Sequence, residues 1–209
     1  LYSGQLAEAG SVKAKRGGKS ARSDWMTMER DRGISIASTV LQFNYKGTII
    51  NLLDTPGHRD FSEDTYRVLS AVDAAIMVLD AAKGIETQTL KLFEVCRARN
   101  MPIITFINKW DRPSLDPLEL IDQIEQSIGV QTTPMTWPVG PGGEFEGVIN
   151  RQTKQFVRFT RTSRGATEAI EETLDLNENS QPESVYLQNA LEEVELLDQI
   201  GATHDQELF

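Results

Sequence analysis

The stretch Thr48–His58, TIINLLDTPGH, narrows most sharply what this chain can fold into. Thr48–Leu53 is a short run rich in Ile and Leu, the pattern of a strand buried in a parallel sheet. It stops at Asp54, and Pro56-Gly57 turns the chain tightly. In an open α/β sheet, ligands sit just beyond the carboxyl ends of such strands. There Asp54 offers a carboxylate suited to Mg²⁺, usually through water. The N–H of Gly57, with no Cβ in the way, can approach a terminal phosphate, and a ring nitrogen of His58 can orient a water. Thr55 and Pro56 complete this candidate nucleotide loop. Asp-x-Pro-Gly also makes an ordinary surface turn, so the stretch alone leaves both readings open.

A second stretch decides between them. Met101–Ile107 (MPIITFI) is another apolar run, and it ends in Asn108-Lys109-Trp110-Asp111. Asn-Lys-x-Asp directly after a buried strand is the guanine-reading signature of GTPases. Guanine presents two N–H donors that one carboxylate, Asp111, can accept together. Adenine places an acceptor there, so a site built on this pairing rejects it strongly. Asn108 can bond the base acceptors and tie neighbouring loops, and the Lys109 stem can lie along the base plane. Two such motifs in this order, each at a strand end, predict a nucleotide site.

Composition limits the alternatives. At 209 residues there is room for one α/β core and a smaller appendage. A net charge of −10 argues against bulk, non-specific nucleic-acid binding. The charge is uneven: Lys13–Arg32 is locally basic, whereas no Lys or Arg follows Arg164. That acidic stretch reads first as a solvated face, with partner binding the alternative. The single cysteine, Cys96, rules out an internal disulfide and reads as a small core residue. With two histidines it cannot build a structural zinc site. No apolar run approaches membrane-spanning length, and no signal peptide is expected from this stretch of sequence. The opening, LYSGQLAEAG, lacks an initiating Met and reads as a fragment.

Along the chain, Leu1–Gly10 reads as a helix tail and Ser11–Arg22 as a Gly- and Lys-rich loop. Its Gly17-Gly18-Lys19-Ser20 imitates the end of a phosphate-binding loop. The required glycine five residues before Gly18 is Lys13, and no apolar strand precedes it, so it reads as a decoy. Ser23–Arg32 carries a helix start, Ile34–Tyr45 alternates as a strand, and Lys46-Gly47 is a hairpin turn into Thr48–Leu53. Phe61–Ala71, Glu86–Arg99 and Pro117–Ile128 are expected helices, with a fully apolar strand at Ala74–Leu79. Leu90, Phe93 and Val95, then Leu118, Ile121, Ile124 and Ile128, are the candidate inward residues. This alternation predicts a doubly wound α/β sheet. From Thr136 glycines and prolines accumulate. Gln155–Thr160 is expected as an exposed strand, Ile170–Ser180 as irregular, and Glu183–Ile200 as a helix. The expected division is a partial GTP-binding domain over 1–135, an inserted α+β subdomain over 136–203, and the start of a return over 204–209.

With both motifs placed, the chain resembles the translational GTPases, and more narrowly the bacterial class II peptide chain release factors. The resemblance rests on SDWMTMERDRGISI (Ser23–Ile36), NLLDTPGHRDFSEDTYR (Asn51–Arg67), DAAKG (Asp80–Gly84), TFINKWDR (Thr105–Arg112) and TWPVG (Thr136–Gly140). It implies a P-loop NTPase-type core whose first strand and phosphate loop are missing here, as is the last guanine-contacting loop. It implies GTP/GDP and Mg²⁺ as ligands, with Ser35 and Asp54 toward the metal and His58 positioning the hydrolytic water. Without the surrounding motif, Ser35 is an ordinary strand-start serine. The implied partners are the ribosome, at large-subunit RNA near the factor-binding site, and the class I release factors that read stop codons. DNA and membrane are not implied, and the protein is expected to be a cytoplasmic monomer. The implied activity is GTP hydrolysis by the intact protein during termination, with the fragment alone inactive. Elongation factor G, a ribosome-protection relative, or a non-hydrolysing binding module are the alternatives.

Overall fold

The computed structural model describes residues 38–55, 62–160, 170–176, 182 and 184–207. The expected elements at Leu1–Gly10, Ser11–Arg22 and Ser23–Arg32, and the decoy loop, lie outside these residues. The described residues form two compact units, one drawn from 1–77 and 91–104, the other from 78–90, 105–160 and 170–209.

In the first unit, β1 (Thr39–Tyr45) and β2 (Thr48–Asp54) form an antiparallel hairpin, with Tyr45 opposite Thr48 and Thr39 opposite Asp54. The turn between them is two residues long, as Lys46-Gly47 predicts. Both adopt positive φ, 49° and 81°, the backbone that matches strand twist in a tight hairpin. Asn44 Oδ1 accepts the Gly47 N–H at 3.1 Å and steadies the turn. Thr48–Leu53 was expected to be buried in a parallel sheet. Among the described residues its partner is antiparallel and its apolar residues Ile49 and Leu52 are exposed. An apolar run marks a strand but does not name its neighbour; the short turn does. The helix expected over Phe61–Ala71 is α1 (Ser62–Val68), one turn shorter.

A second pair of strands, β3 (Ala75–Asp80) and β4 (Ile103–Asn108), flanks α2 (Thr87–Ala98) in sequence. Ala75 N–H bonds Pro102 O at one end and Ala81 N–H bonds Asn108 O at the other, both at 3.0 Å, so the strands run parallel. Met77 and Leu79 are buried on one face of β3, while Ile76 and Val78 are exposed on the other. On α2, Phe93 and Cys96 are the buried residues, and Leu90 and Val95 are half-buried. Cys96 is the small core residue expected.

In the second unit, α3 (Pro117–Ile128) is bounded by local chemistry. Asp116 caps its start, accepting the N–H groups of Leu118 and Glu119, and Pro117 occupies the first turn. Gly129, at φ 69°, closes it by donating to Glu125 O. Leu120 and Ile124 are buried, whereas Leu118, expected inward, is exposed. The inward stripe is therefore turned slightly from the one expected.

Four strands then make one antiparallel sheet in chain order: β5 (Thr136–Val139), β6 (Gly147–Asn150), β7 (Gln155–Thr160) and β8 (Ile170–Asp175). The final helix, α4 (Val185–Glu207), begins at Ser184, whose Oγ accepts the Leu187 N–H. Leu187, Ala190 and Val194 of α4 close over Trp137, Val139, Ile149 and Phe156 of the sheet. Tyr186, Leu191 and Leu197 line the same core, as their helical spacing predicts. Two expectations change here. β7 is an inner strand with Phe156 fully buried, not an exposed one. Ile170–Asp175, expected as irregular, is paired along β7, where Arg158 meets Glu172 at 3.1 Å and Gln155 bonds Asp175 at 2.9 Å. Its acidic residues face partners across the strands, which a single-strand pattern cannot reveal.

Candidate functional site

Asp80 closes β3 and Asn108 closes β4. Because the strands are parallel and adjacent, their carboxyl ends bring the two following loops together. Ala81 N–H donates to Asn108 O, and Leu115 N–H donates to Ala81 O at 3.1 Å, which ties those loops by backbone alone.

The loop Asn108–Asp111 is held in one shape from several sides. Lys109 sits at φ 67°, in the left-handed region that costs a non-glycine residue about 1–2 kcal/mol. Asn108 Oδ1 accepts the Lys109 N–H at 2.9 Å, and Arg112 N–H returns to Lys109 O at 3.1 Å. Trp110 is buried beside Ala81 and Leu120, with Ile107, Leu115 and Phe145 packed around them. Its indole N–H donates to Gly140 O at 3.1 Å, and Gly143 N–H donates to Trp110 O at 3.2 Å. Gly142 lies so close that an added Cβ would stand 2.1 Å from Ser114 Oγ and 2.7 Å from Arg112 O. The buried indole thus anchors a loop whose polar members point outward.

Asn108, Lys109 and Asp111 are all exposed. The Asp111 side chain is 62% exposed, with Arg112 Nε 3.9 Å away. A carboxylate so placed has the geometry to accept two N–H donors from a planar base. Lys109 Nζ reaches across to Asp80 Oδ2 at 2.6 Å, while Asp80 Oδ1 accepts the Ala82 N–H at 3.0 Å. The hydrogen bond from Lys109 holds the Asp80 carboxyl below the usual carboxylate range, against the opposing effect of its partial burial. Reasoning from motifs missed Asp80 as a member of this site. The available signal was position: like Asp54 and Asn108, it ends an apolar strand.

Asp54, in the other unit, is the last residue of β2 and is exposed; Thr55 follows it. Ser35, Pro56, Gly57 and His58 lie outside the described residues. Among the described residues no three or more His, Cys, Asp or Glu gather to cage a metal. A lone carboxylate at a strand end fits Mg²⁺, which keeps waters and phosphate oxygens and needs few protein ligands.

The sequence matches the family described as elongation factor Tu GTP binding domain over residues 1–200. It is 56% identical to a peptide chain release factor 3 from Synechocystis sp., over 98% of this chain and 38% of that protein. It is 53% identical to the protein of the same name from Acaryochloris marina, over 99% of this chain and 39% of that one. The chain therefore spans well under half the length of these relatives. A crystal structure from Thermus thermophilus superposes with a TM-score of 0.75 over 95% of this chain and 26% of that one. At 20% identity that likeness concerns the fold alone. The α/β core expected from the strand–helix rhythm is thus the fold of a family that binds guanine nucleotides. The chain belongs to the elongation factor Tu GTP-binding domain family.

Proposed function

We propose that Asn108–Asp111 reads guanine and that the protein hydrolyses GTP on the ribosome during termination, promoting release of the stop-codon-reading factors. The observation that carries the reading is the Asn108–Asp111 loop itself, pinned at the end of a parallel strand with its carboxylate turned outward. The likeness to peptide chain release factors supports the ribosomal task.

In this reading Asp111 accepts the two N–H groups of guanine, Asn108 bonds the base acceptors, and the Lys109 stem lies along the ring. Trp110 serves the site from beneath, as the buried anchor of the loop. Thr55–His58 approach the terminal phosphate, with Gly57 N–H toward a phosphate oxygen and His58 orienting the attacking water. Asp54 and Ser35 are hard oxygen donors toward Mg²⁺, which when bound supplies positive charge opposite the phosphates. The chain's own contribution is positioning: a fixed base fixes the phosphate end to which it is linked. We read 1–135 as part of the GTP-binding domain and 136–203 as an inserted α+β subdomain, with 204–209 beginning the return. The core shared by the four-stranded sheet and α4 supports keeping those elements together in one subdomain. We further propose a cytoplasmic monomer; no described helix is long and apolar enough to cross a membrane.

The test is displacement of fluorescent GDP from the full-length protein by GTP, ATP and XTP. GTP is expected to compete and ATP not, and Asp111→Asn to shift preference toward XTP. Equal competition by ATP would remove the guanine assignment. Ribosome-stimulated hydrolysis that survives His58→Ala unchanged would remove the role given to His58.

A further inference from the structure

Two carboxyl-terminal strand ends meet at the site, and the guanine signature uses only one of them. Asp80 has no place in that signature, yet its carboxylate is held at both oxygens. Oδ1 accepts the Ala82 N–H from its own loop, which fixes the plane of the group, and Oδ2 takes Lys109 Nζ at 2.6 Å. The lysine is pinned at its other end too, by the left-handed backbone at its Cα and the Asn108 Oδ1 bond to its N–H. A side chain with four rotatable carbons is thereby restrained at both ends before any base arrives.

We propose that Asp80 is a positioning residue of the guanine site, holding Lys109 so that its stem forms a ready shelf for the base and prolonging nucleotide residence. This rests on the assignment of Asn108–Asp111 to guanine. The pair is unsuited to a mainly structural role. Lys109 is 44% exposed and Asp80 is half-buried at 20%, and an ion pair with one member open to solvent contributes only modestly to folding. What the pair does do is remove freedom from a rotamer-rich side chain. Ordering such a side chain only at binding weakens a complex by about two- to tenfold. Asp80 meets that cost in the free protein.

The experiment measures fluorescent-GDP dissociation from the full-length protein and from Asp80→Ala, Asp80→Asn, Lys109→Ala and the Asp80→Ala/Lys109→Ala double variant. Asp80→Ala is expected to release GDP about fivefold faster. Asp80→Asn, which keeps the acceptor for the Ala82 N–H, is expected to accelerate release in the same direction, so a disturbed loop is not the cause. The double variant is expected to match Lys109→Ala alone, because Asp80 acts through the lysine. The melting temperature and the preference for GTP over XTP are expected to stay unchanged in both Asp80 variants. Unchanged dissociation in Asp80→Ala, or losses that multiply in the double variant, would overturn the proposal while leaving the guanine site standing. Failure of the unaltered protein to bind GDP would instead overturn the guanine assignment, and this proposal with it.

Discussion

The β1–β2 hairpin and the four-stranded sheet are both antiparallel and both rich in apolar residues, and end in opposite states. On the hairpin Val40 is 65% and Ile49 66% exposed. In the sheet Trp137 is 2%, Val139 0%, Ile149 1% and Phe156 0% exposed. Backbone pairing does not separate them, since each strand finds its register. The difference is the second layer: Leu187, Ala190 and Val194 of α4 lie on the sheet, and a strand pattern becomes a core only when another element covers it. Polar groups follow the same division. In the sheet the Trp137 indole N–H finds Glu193 of α4 at 2.7 Å, and Arg151 spans from Pro134 O to Asp198. On the hairpin, Gln42 bonds Asn51 across the strands on an exposed surface.

The sharpest way to break this comparison is truncation. Phe156→Ala should cost about 3–5 kcal/mol of stability, as a large side chain removed from a closed core does. Ile49→Ala on the hairpin should cost about 0.5 kcal/mol or less, as surface substitutions do. Denaturant unfolding of the two variants checks this, and equal losses would mean that the hairpin face is covered in solution.

A smaller contrast comes from two glycines. A Cβ on Gly147 would stand 2.1 Å from Val157 O and 2.9 Å from Arg158 Cα, both backbone atoms that cannot step aside. Gly147→Ala should therefore cost about 1–3 kcal/mol through displaced strands. Gly47 has open space around it, so Gly47→Ala should cost only the positive-φ penalty, about 1 kcal/mol. Melting temperatures in that order would support the distinction, and a costlier Gly47→Ala would reverse it.

The smallest effect is electrostatic. Lys154 at 2.7 Å, then Arg151, hold the Asp198 carboxyl below its ordinary value of 3.8. A carboxylate depressed by folding adds stability that is fully present above that ordinary value and disappears as pH falls through the lower folded one. Asp198 is 41% exposed, so screening keeps the contribution under about 1 kcal/mol. Asp198→Asn should lower stability slightly at neutral pH and match the unaltered protein at strongly acidic pH. Unfolding curves at the two pH values check the sign, and a loss that persists in acid would assign the effect to packing.

Much of this was legible without coordinates, for reasons that differ by element. The hairpin turn at Lys46-Gly47 and the limits of α3 are short-range: Asp116, Pro117 and Gly129 act on backbone groups within a few residues. The stripe of Tyr186, Leu187, Ala190, Leu191, Val194 and Leu197 was visible because a helix repeats its facing residues at a fixed interval. Asn108–Asp111 stood out as the proposed guanine reader because base discrimination demands particular donors and acceptors in sequence. The strand Ile170–Asp175 was not, since its acidic residues are matched by Arg158 and Gln155 on a neighbouring strand. Phe156 looked exposed because its strand alternates, and alternation cannot say whether the apolar face meets water or a helix.

By itself the sequence determined most of the local elements, their caps and turns, and the residues from which a nucleotide site is proposed at the ends of β2 and β4. All of these depend on residues a few positions apart. The tertiary structure alone decided which strands become neighbours, which apolar face is covered, and that Asp80 meets Lys109, twenty-nine positions on, at 2.6 Å. Those contacts arise when parallel strands bring distant loops to one edge, and no local pattern records which loops will meet.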